Sequence, residues 1–513
     1  DVDRAAKEEM MQARLFTYYT YDTTGLVEID EQPPAPMNQD ALDLVLTIAK
    51  MFDMTPLPQI HTMRKMIVDG SATSGFQRTA LVALNGASYK TCRIETVAIE
   101  EDACQRVTDK VFSVDRLGIP LIEITTAPCM RTPEQVHDVA QYIGMTLRST
   151  GRVKRGLGTI RQDVNVSIRD GARVEIKGVQ ELDLIAEVVR REIQRQLSLL
   201  AIKDELIARN ALVNGEVYDV TQVFAGTKSQ VLKKAKVILG TVLHGFAGLV
   251  GMEIQPGRRL GSEMSDYAKR CGVGGLFHTD ELPEYGVTAE EVTVLKETLG
   301  AGEQDAVIIV AATEQKCQCA MKMILRRARM AMDGVPEETR KMLEGGSTTY
   351  MRPLPGAARM YPETDILPVP VSSAYWESIT LPELLTVKAE RFVVKYGLDS
   401  GMAHQMAFSE KLPLFERAVA EGIRPVFAAR TILASLKELS RAGISTDDLP
   451  DDSVIAVMKA VEAGHAAKEA VSEILSACAR GMTLEEAIAT VALAYSREEL
   501  QALVRGIVAE RVD

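Results

Sequence analysis

Charged residues interrupt apolar, strand-like segments between Glu100 and Lys177, and this pattern constrains the fold more than any other feature of the chain. Carboxylates within a sheet are costly to bury unless they bind a cation or a hydrogen-bond donor. We therefore expect a functional site in this region. The segments concerned are Glu100-Glu101-Asp102, Asp115 to Ile124, Arg161 to Ile168 and Arg173 to Lys177.

The last two of these segments predict a β-hairpin with one apolar and one polar face. Apolar and polar residues alternate along 163–168 and along 173–177, as in strands. Cross-strand neighbours must share a face, so we predict a loop over 170–172 that pairs Ile168 with Val174. A solvated sheet face would show the same pattern, and that alternative stays open. The predicted polar face carries Asp163, Asn165, Ser167, Glu175 and Lys177.

Glu101 and Glu123 have the chemistry of a magnesium site. Mg²⁺ prefers oxygen ligands and takes few protein carboxylates, which leaves room for phosphate oxygens. Arg161 and Lys177 would offset negative charge that develops during phosphoryl transfer. Structural ion-pair networks use the same residue types, so the residues alone leave both interpretations open.

A Gly/Ser-rich stretch from Gly70 to Gly75 lies between two short basic segments. Arg64-Lys65 precedes it and Gln77-Arg78 follows it. Such a loop can present backbone amides and cations to an anion, and Ser74 adds a hydroxyl. A flexible surface turn would have the same composition, so this alternative also stays open.

Several common chemistries lack their motifs. The chain has no Walker-type phosphate loop, no His-Glu-x-x-His pair and no Gly-x-Ser-x-Gly elbow. The net charge of −12 repels nucleic acid at long range, but recognition depends on local patches. Seven scattered cysteines argue against a disulfide framework and favour a reducing cytoplasm, with Cys317 and Cys319 in a helix. No apolar run approaches the length of a membrane span.

The 513 residues suffice for several domains, and the pattern changes along the chain. Strand-like and helix-like segments mix up to about Lys236, Gly-rich segments mark 237–334, and helical patterns dominate after about Thr380. This order predicts an α+β fold in which 237–334 is a separate or inserted domain.

Two helices of the first part are well marked. Thr132 and Gln135 form a capping box around Pro133, which predicts a helix start there. A second helix is predicted from about Leu182 to Leu200, with an apolar stripe facing inward. Its arginines at 190, 191 and 195 are expected to face outward.

Long motifs then point to one family. They are Glu100 to Ala103, Gly118 to Ile124, Gly158 to Ile168 and Val174 to Lys177. These segments resemble the signatures of the B/E family of tRNA-dependent amidotransferase subunits. The block from Gly251 to Pro283 is similar to the domain inserted in bacterial-type aspartyl-tRNA synthetases, a feature of the archaeal branch of that family. The resemblance covers nearly the whole chain.

The resemblance implies an activity with ATP and Mg²⁺. Members of this branch bind glutamyl-tRNA(Gln), phosphorylate the tRNA-bound glutamate and substitute ammonia to give glutaminyl-tRNA(Gln). The ammonia comes from an asparaginase-like D subunit. A noncatalytic tRNA-binding scaffold of the same fold is the alternative, and a synthetase relative would need adenylate-forming motifs that the chain lacks.

The resemblance also implies roles for individual residues. Glu101 and Glu123 fall on motif positions associated with Mg²⁺, and the family's Glu-x-His segment is expected upstream of Asp1. The implied catalytic residues are Glu101, Glu123, Arg161, Glu175 and Lys177, and the implied ATP-binding residues are Arg64, Lys65, Ser74, Asp163, Asn165 and Ser167.

The implied architecture is a cradle-like catalytic domain on a large antiparallel sheet, interrupted by the inserted domain and followed by an all-α region. The tail is expected to bind the tRNA body, and the protein is expected in the cytoplasm. The implied boundaries are 1–236 and 335–378 for the cradle, 237–334 for the insertion, 379–434 for a helical domain and 435–513 for the tail.

Overall fold

The computed structural model describes residues 15–492, apart from 91, 157, 355, 357–359 and 446–448, together with 501, 502, 504 and 505. The chain divides into two compact units, one of residues 1–147 and 152–381 and the other of residues 148–151 and 382–513. Helices and strands mix in the first unit, which confirms the predicted α+β class. In the described ranges, no helix has the length and apolar character needed to cross a membrane.

The large sheet of the first unit is antiparallel along its main path. The helix Gln39–Met51 begins at Asn38, whose Oδ1 accepts the N–H of Ala41 at 2.9 Å. The buried side chains of this helix share a core with Ile99 and its neighbours, so one face of the sheet is apolar. The strands lie in the order Pro120–Thr126, Cys92–Glu101, Phe76–Leu84, Thr62–Met66 and Met360–Pro362, with Thr55–Pro56 and Ser88–Tyr89 paired beside them.

A second, mixed sheet contains the predicted hairpin. Its two middle strands are parallel and its outer pairs are antiparallel. The helix Ile185–Ala208, preceded by a 3₁₀ turn at Leu182–Leu184, packs Val188 and Val189 against Val174 and other buried residues of the sheet. The strands lie in the order Gln162–Val166, Val174–Val179, Glu338–Met342 and Thr348–Pro353.

The predicted hairpin register is wrong by two residues. Asn165 pairs with Glu175, and Val166 pairs with Val174, so the connection is longer than three residues. A side-chain amide outside the hairpin stabilises it, because Oε1 of Gln196 accepts the N–H of Ala172 at 3.2 Å. An even shift keeps every side chain on its face, so the predicted apolar and polar faces are both correct.

The segment 237–334 forms a third sheet together with the strand Tyr218–Asp219, which precedes it in sequence, and helices pack beside this sheet. The apolar core of this segment includes Leu199, Ile202 and Leu206 from the helix Ile185–Ala208, so the segment and that helix share one core. The sheet has the strand order Tyr218–Asp219, Val237–Leu243, Ala306–Ala312 and Phe277–His278, and the helices are Leu260–Lys269, Ala289–Leu299 and Glu314–Asp333.

A buried ionic network joins this segment to the mixed sheet. Arg195, for which the sequence predicts an outward position, is fully buried, and its Nη1 and Nη2 lie 2.8 Å from Glu192 and Glu338. Arg195 also binds Glu263. The prediction is wrong because the partners of Arg195 lie up to 143 positions away in sequence.

Three guanidiniums surround Glu263 in this network. Arg327 Nη2 lies 2.6 Å and Arg340 Nη2 lies 3.0 Å from its carboxylate, in addition to Arg195. Burial alone would raise the pKa of Glu263, but these three cations outweigh it and hold the pKa well below its usual range. The hydroxyl of Tyr267 donates to Glu338 at 2.8 Å, which adds a neutral donor to the network.

The described part of the second unit is helical from 385 onward, as predicted. Thr483 caps the helix Leu484–Ala492 as predicted from its sequence, accepting the N–H of Glu486 at 3.3 Å. The helices are Leu385–Tyr396, Ser400–Ala407, Leu412–Ala420, Pro425–Arg430, Leu436–Arg441, Asp451–Glu462, Val471–Ala479 and Leu484–Ala492, and a π-helical turn lies at Thr431–Ser435.

The capping box at Thr132 is confirmed, whereas the expectation about cysteines is not. The helix runs over Pro133–Ser149, and the Thr132 hydroxyl accepts the N–H of Gln135 at 3.2 Å. Disulfides join Cys92 to Cys129 and Cys271 to Cys319, so the expectation of a chain without them is wrong. Cysteine spacing could not show this, because the two partners are separated by 37 and 48 positions.

We expect Arg195→Met to lower the free energy of unfolding by about 3 to 5 kcal/mol, because it removes the buried guanidinium that Glu192, Glu263 and Glu338 share. Arg190→Met, on the exposed side of the same helix, is the matched control and should cost less than about 1 kcal/mol. Urea unfolding followed by circular dichroism measures both. Equal losses for the two variants would contradict the importance of the buried network.

Candidate active site

Glu100 and Glu123 lie on the polar face of the large sheet, which we call the carboxylate face. Glu100 pairs with Leu121 and Thr79, while Glu123 pairs with Ala98. Paired residues share a face, and side chains alternate along a strand, so the two glutamates lie on one side. The same register adds Lys65 and Gln77 to this face.

The carboxylates of Glu100 and Glu123 lie close enough to repel each other. Partial loss of hydration raises the pKa of Glu123 to about 7, and the charge of Glu100 and a hydrogen bond with it act in the same direction. The Glu100 carboxylate also binds the ammonium of Lys65. Two carboxylates this close to each other offer oxygen ligands to a divalent cation.

The polar face of the mixed sheet continues this charged surface. Asp163 lies near enough to Glu123 to raise its pKa. Lys177 lies between two carboxylates, with Nζ 2.5 Å from Asp163 and 2.6 Å from Glu175. Burial opposes the charge of Lys177, but the two carboxylates outweigh it and raise its pKa. Lys177 is therefore a fixed cation beside the acidic pair.

The predicted pairing of Glu101 with Glu123 is not observed. Glu101 pairs with Pro120, one position along the strand from Glu100, and therefore lies on the opposite face. There its carboxylate is 3.3 Å from Nη1 of Arg78. The Glu-Glu doublet gives no sequence signal for which member faces the site, and the register decides in favour of Glu100.

Arg64 belongs to this second cluster and not to the carboxylate face. Nε of Arg64 and Nε of Arg78 lie 2.8 Å and 3.0 Å from Glu363. Burial alone would raise the pKa of Glu363, but hydrogen bonds from Arg64, the Asp365 amide and Arg78 lower it to about 2. The structure does not bring Arg64 and Lys65 together, because neighbours along a strand point to opposite faces, and their role in ATP binding stays a prediction.

The remaining predicted residues lie at different places. Arg161 has Nη2 at 3.5 Å from Asp102. Asn165 is exposed opposite Glu175, and Ser167 is exposed one residue beyond the end of its strand. The Ser74 hydroxyl donates to the carbonyl of Phe76 at 3.2 Å, so its contact in the structure is within its own turn.

The donor set of the carboxylate face fits Mg²⁺. Among the described residues, no group of three or more His, Cys, Asp or Glu side chains is arranged around a common metal position. A pair of carboxylates is nevertheless what Mg²⁺ commonly takes from a protein when phosphates and water complete its shell. Glu100 and Glu123 would hold the ion, and Asp163 is a further carboxylate close enough to affect Glu123.

The first part of the chain matches a known family of catalytic domains. A model of the GatB/GatE catalytic domain matches residues 16–377, and the chain belongs to this family. It is 61% identical over 513 residues to the E subunit of glutamyl-tRNA(Gln) amidotransferase from Methanospirillum hungatei, covering all of this chain and 84% of the relative. The E subunits of Methanosarcina barkeri and Methanocaldococcus jannaschii are 50% and 47% identical, covering all of this chain and 84% and 85% of the relatives.

We expect Glu363→Gln to lower the free energy of unfolding by about 3 kcal/mol at pH 7, because two guanidiniums lose their buried partner. The lowered pKa of Glu363 contributes stability above pH 4.5, and this contribution is lost as the pH falls from 4.5 toward 2. The variant should therefore lose less stability than the parent over that range.

Asp365→Asn is the matched control, since Asp365 binds the same Arg64 but its side chain is 51% exposed. Thermal melting between about pH 7 and about pH 2.5 measures the parent and both variants. If the melting temperature of Glu363→Gln falls with pH in parallel with that of the parent, the assignment of this pH dependence to Glu363 is wrong.

Proposed function

We propose that the chain is the subunit that activates glutamate on glutamyl-tRNA(Gln) and amidates it to glutaminyl-tRNA(Gln). Membership of the GatB/GatE family and 61% identity to the E subunit from Methanospirillum hungatei support this proposal. The observation that carries it is the close pair Glu100 and Glu123 on the carboxylate face, bordered by Lys65 and Lys177. Acidic and basic groups side by side suit a metal–phosphate substrate.

The reaction divides into two transfers. An oxygen of the glutamate γ-carboxylate attacks the γ-phosphorus of ATP, and ADP leaves with the electrons of the broken bond. Ammonia then attacks the acyl carbon, phosphate leaves, and the extra proton goes to a base or to water. Phosphorylation is needed because the oxygen of a free carboxylate is a poor leaving group.

The residues of the site would have two roles: carboxylates would bind the metal ion, and cations would offset negative charge on the phosphoryl group. Mg²⁺, when bound, would neutralise phosphate oxygens of ATP and polarise the transferred group. Glu100 and Glu123 would hold that ion, and Lys65 keeps Glu100 in place. Lys177, fixed by Asp163 and Glu175, would offset charge on the phosphoryl group, and Arg161 would do the same from its position beside Asp102.

The acyl phosphate would hydrolyse if water reached it, so ammonia needs a sheltered route. We propose an asparaginase-like D subunit as the partner that produces the ammonia and a cytoplasmic location for the complex. The domain limits predicted from the sequence, with 237–334 as insertion and 435–513 as tail, are part of this proposal. Lys437 and Arg441 are exposed in the second unit, as a tRNA-binding tail requires.

A noncatalytic tRNA-binding scaffold is the second candidate. Such a protein would not need a carboxylate pair whose mutual repulsion helps to raise a pKa to about 7. Charges that oppose each other without a ligand are costly, and they are retained where a ligand uses them. The pair therefore favours the catalytic subunit.

We expect Glu100→Gln and Glu123→Gln to lower ATP-dependent formation of glutaminyl-tRNA(Gln) by at least about 100-fold, because each removes a metal ligand. Glu101→Gln is the matched control on the same strand and should lower the rate by less than about fivefold, since its carboxylate lies on the other face. The assay uses the complex with the D subunit, glutamyl-tRNA(Gln), ATP and Mg²⁺.

Binding of tRNA to each variant, measured by filter retention, controls for folding and should stay within about twofold of the parent. Full activity of Glu123→Gln would refute the metal assignment. No activity of the parent complex would favour the scaffold.

A further inference from the structure

The carboxylate face continues beyond Glu100 to Asp102. The N–H of Asp102 donates to the carbonyl of Ile119 at 2.7 Å, and its carbonyl accepts the N–H of Gly118 at 3.0 Å. Asp102 thus bonds two residues of the neighbouring segment, as in a β-bulge, and both its backbone groups point to that segment. Alternation then places Asp102 on the same face as Glu100, roughly 7 Å along the strand.

Asp102 holds two arginines that are distant in sequence. Its Oδ2 lies 2.7 Å from Nη2 of Arg116, and its Oδ1 lies 3.5 Å from Nη2 of Arg161. Oδ1 also accepts the N–H of Ala103 at 2.9 Å. The Asp102 side chain is only 9% exposed, so the carboxylate is fixed from several directions.

Asp102, Arg116 and Arg161 together carry more positive than negative charge. Two guanidiniums share one carboxylate, and no other carboxylate within the described ranges forms an ion pair with Arg116 or Arg161. Their side chains are 41% and 45% exposed, and a guanidinium has five N–H donors. Donors therefore remain for an anion that approaches from solvent, and two guanidiniums side by side suit the oxygens of a phosphate.

We propose that Arg116 and Arg161 form a clamp for the transferred phosphoryl group of ATP, with Asp102 as its positioning residue. This inference rests on the proposed function and extends it to Arg116 and Asp102. As the γ-carboxylate oxygen bonds to phosphorus and the bond to the ADP oxygen breaks, negative charge is spread over the phosphoryl oxygens. The clamp offsets that negative charge in addition to Lys177.

A phosphate of the tRNA backbone offers the same chemistry as a phosphate of ATP. The position favours ATP, because Asp102, which binds both arginines, follows Glu100 on the face that also carries Glu123, and these two glutamates would hold its metal ion. Separate binding measurements distinguish the two sources.

The test uses the full chain in complex with the D subunit and compares Arg116→Gln with Arg106→Gln. Arg106 is the matched control, since it is exposed and pairs only locally, with Asp109 at 3.0 Å. ATP binding is measured by calorimetry without tRNA, and tRNA binding is measured without ATP. We expect Arg116→Gln to weaken ATP binding by at least about tenfold and to lower kcat by at least about tenfold. Its affinity for tRNA should stay within about twofold of the parent. Arg106→Gln should leave ATP binding, kcat and tRNA binding unchanged.

Asp102 is tested by the pair Asp102→Asn and Asp102→Glu. Loss of the carboxylate should raise the KM for ATP by at least about fivefold while the melting temperature stays close to that of the parent, and Asp102→Glu should restore part of the loss. A purely structural role would lower the melting temperature and leave the KM for ATP of the folded fraction unchanged.

Two results would overturn the clamp. One is ATP binding by Arg116→Gln that equals the parent, and the other is a loss confined to tRNA binding, which would assign the arginine to the nucleic acid. If the parent complex forms no glutaminyl-tRNA(Gln), the proposed function is wrong. The comparison of ATP binding between the parent and Arg116→Gln still tests the clamp in that case.

Discussion

Each of the two main sheets in the first unit buries one face against a helix, and the two-residue period of a strand then decides which side chains remain polar. Ile99 points into the core, so Glu100 points away from it. Val174 and Ile176 are fully buried, so Glu175 and Lys177 face the other side. The carboxylate face is therefore a consequence of core packing, and one residue of slippage would remove it.

The ionic network at Glu263 contacts the buried face of the mixed sheet, opposite the face that carries Glu175 and Lys177. Glu338 and Arg340 belong to a strand of that sheet, and they bind Arg195 and Glu263 on its buried side. Thr339 lies between them and pairs with Glu175, which faces the site. A rigid arrangement on the buried side thus limits movement of the polar side, although burying so many charged groups is costly in itself.

Local signals predicted local structure well. The capping box at Thr132 needs only neighbouring residues, and both faces of the hairpin follow from alternation alone. The hairpin register depended on a distant contact, since Gln196 binds the loop at Ala172. Distant partners also explain why the prediction that Arg195 lies at the surface is wrong. The helical pattern around Arg195 does not indicate which carboxylates, far away in sequence, will bind it.

Only some of the residues predicted for the candidate site lie together in the structure. Asp163, Glu175 and Lys177 do so because they share one hairpin. The choice between Glu100 and Glu101 depends on the pairing with the strand Pro120–Thr126, which a pattern of residues does not specify. Arg116 lies in a segment that the sequence singles out, but only the fold shows that it binds Asp102.

The central claim is that Glu100 and Glu123 together hold a divalent metal ion on the carboxylate face. Anomalous X-ray diffraction from crystals of the chain with Mn²⁺ and ADP tests this claim most directly, since Mn²⁺ replaces Mg²⁺ at oxygen ligands and scatters anomalously. The account predicts an anomalous peak in contact with both carboxylates. A peak beside Glu101 and Glu363, or none near Glu123, would contradict it.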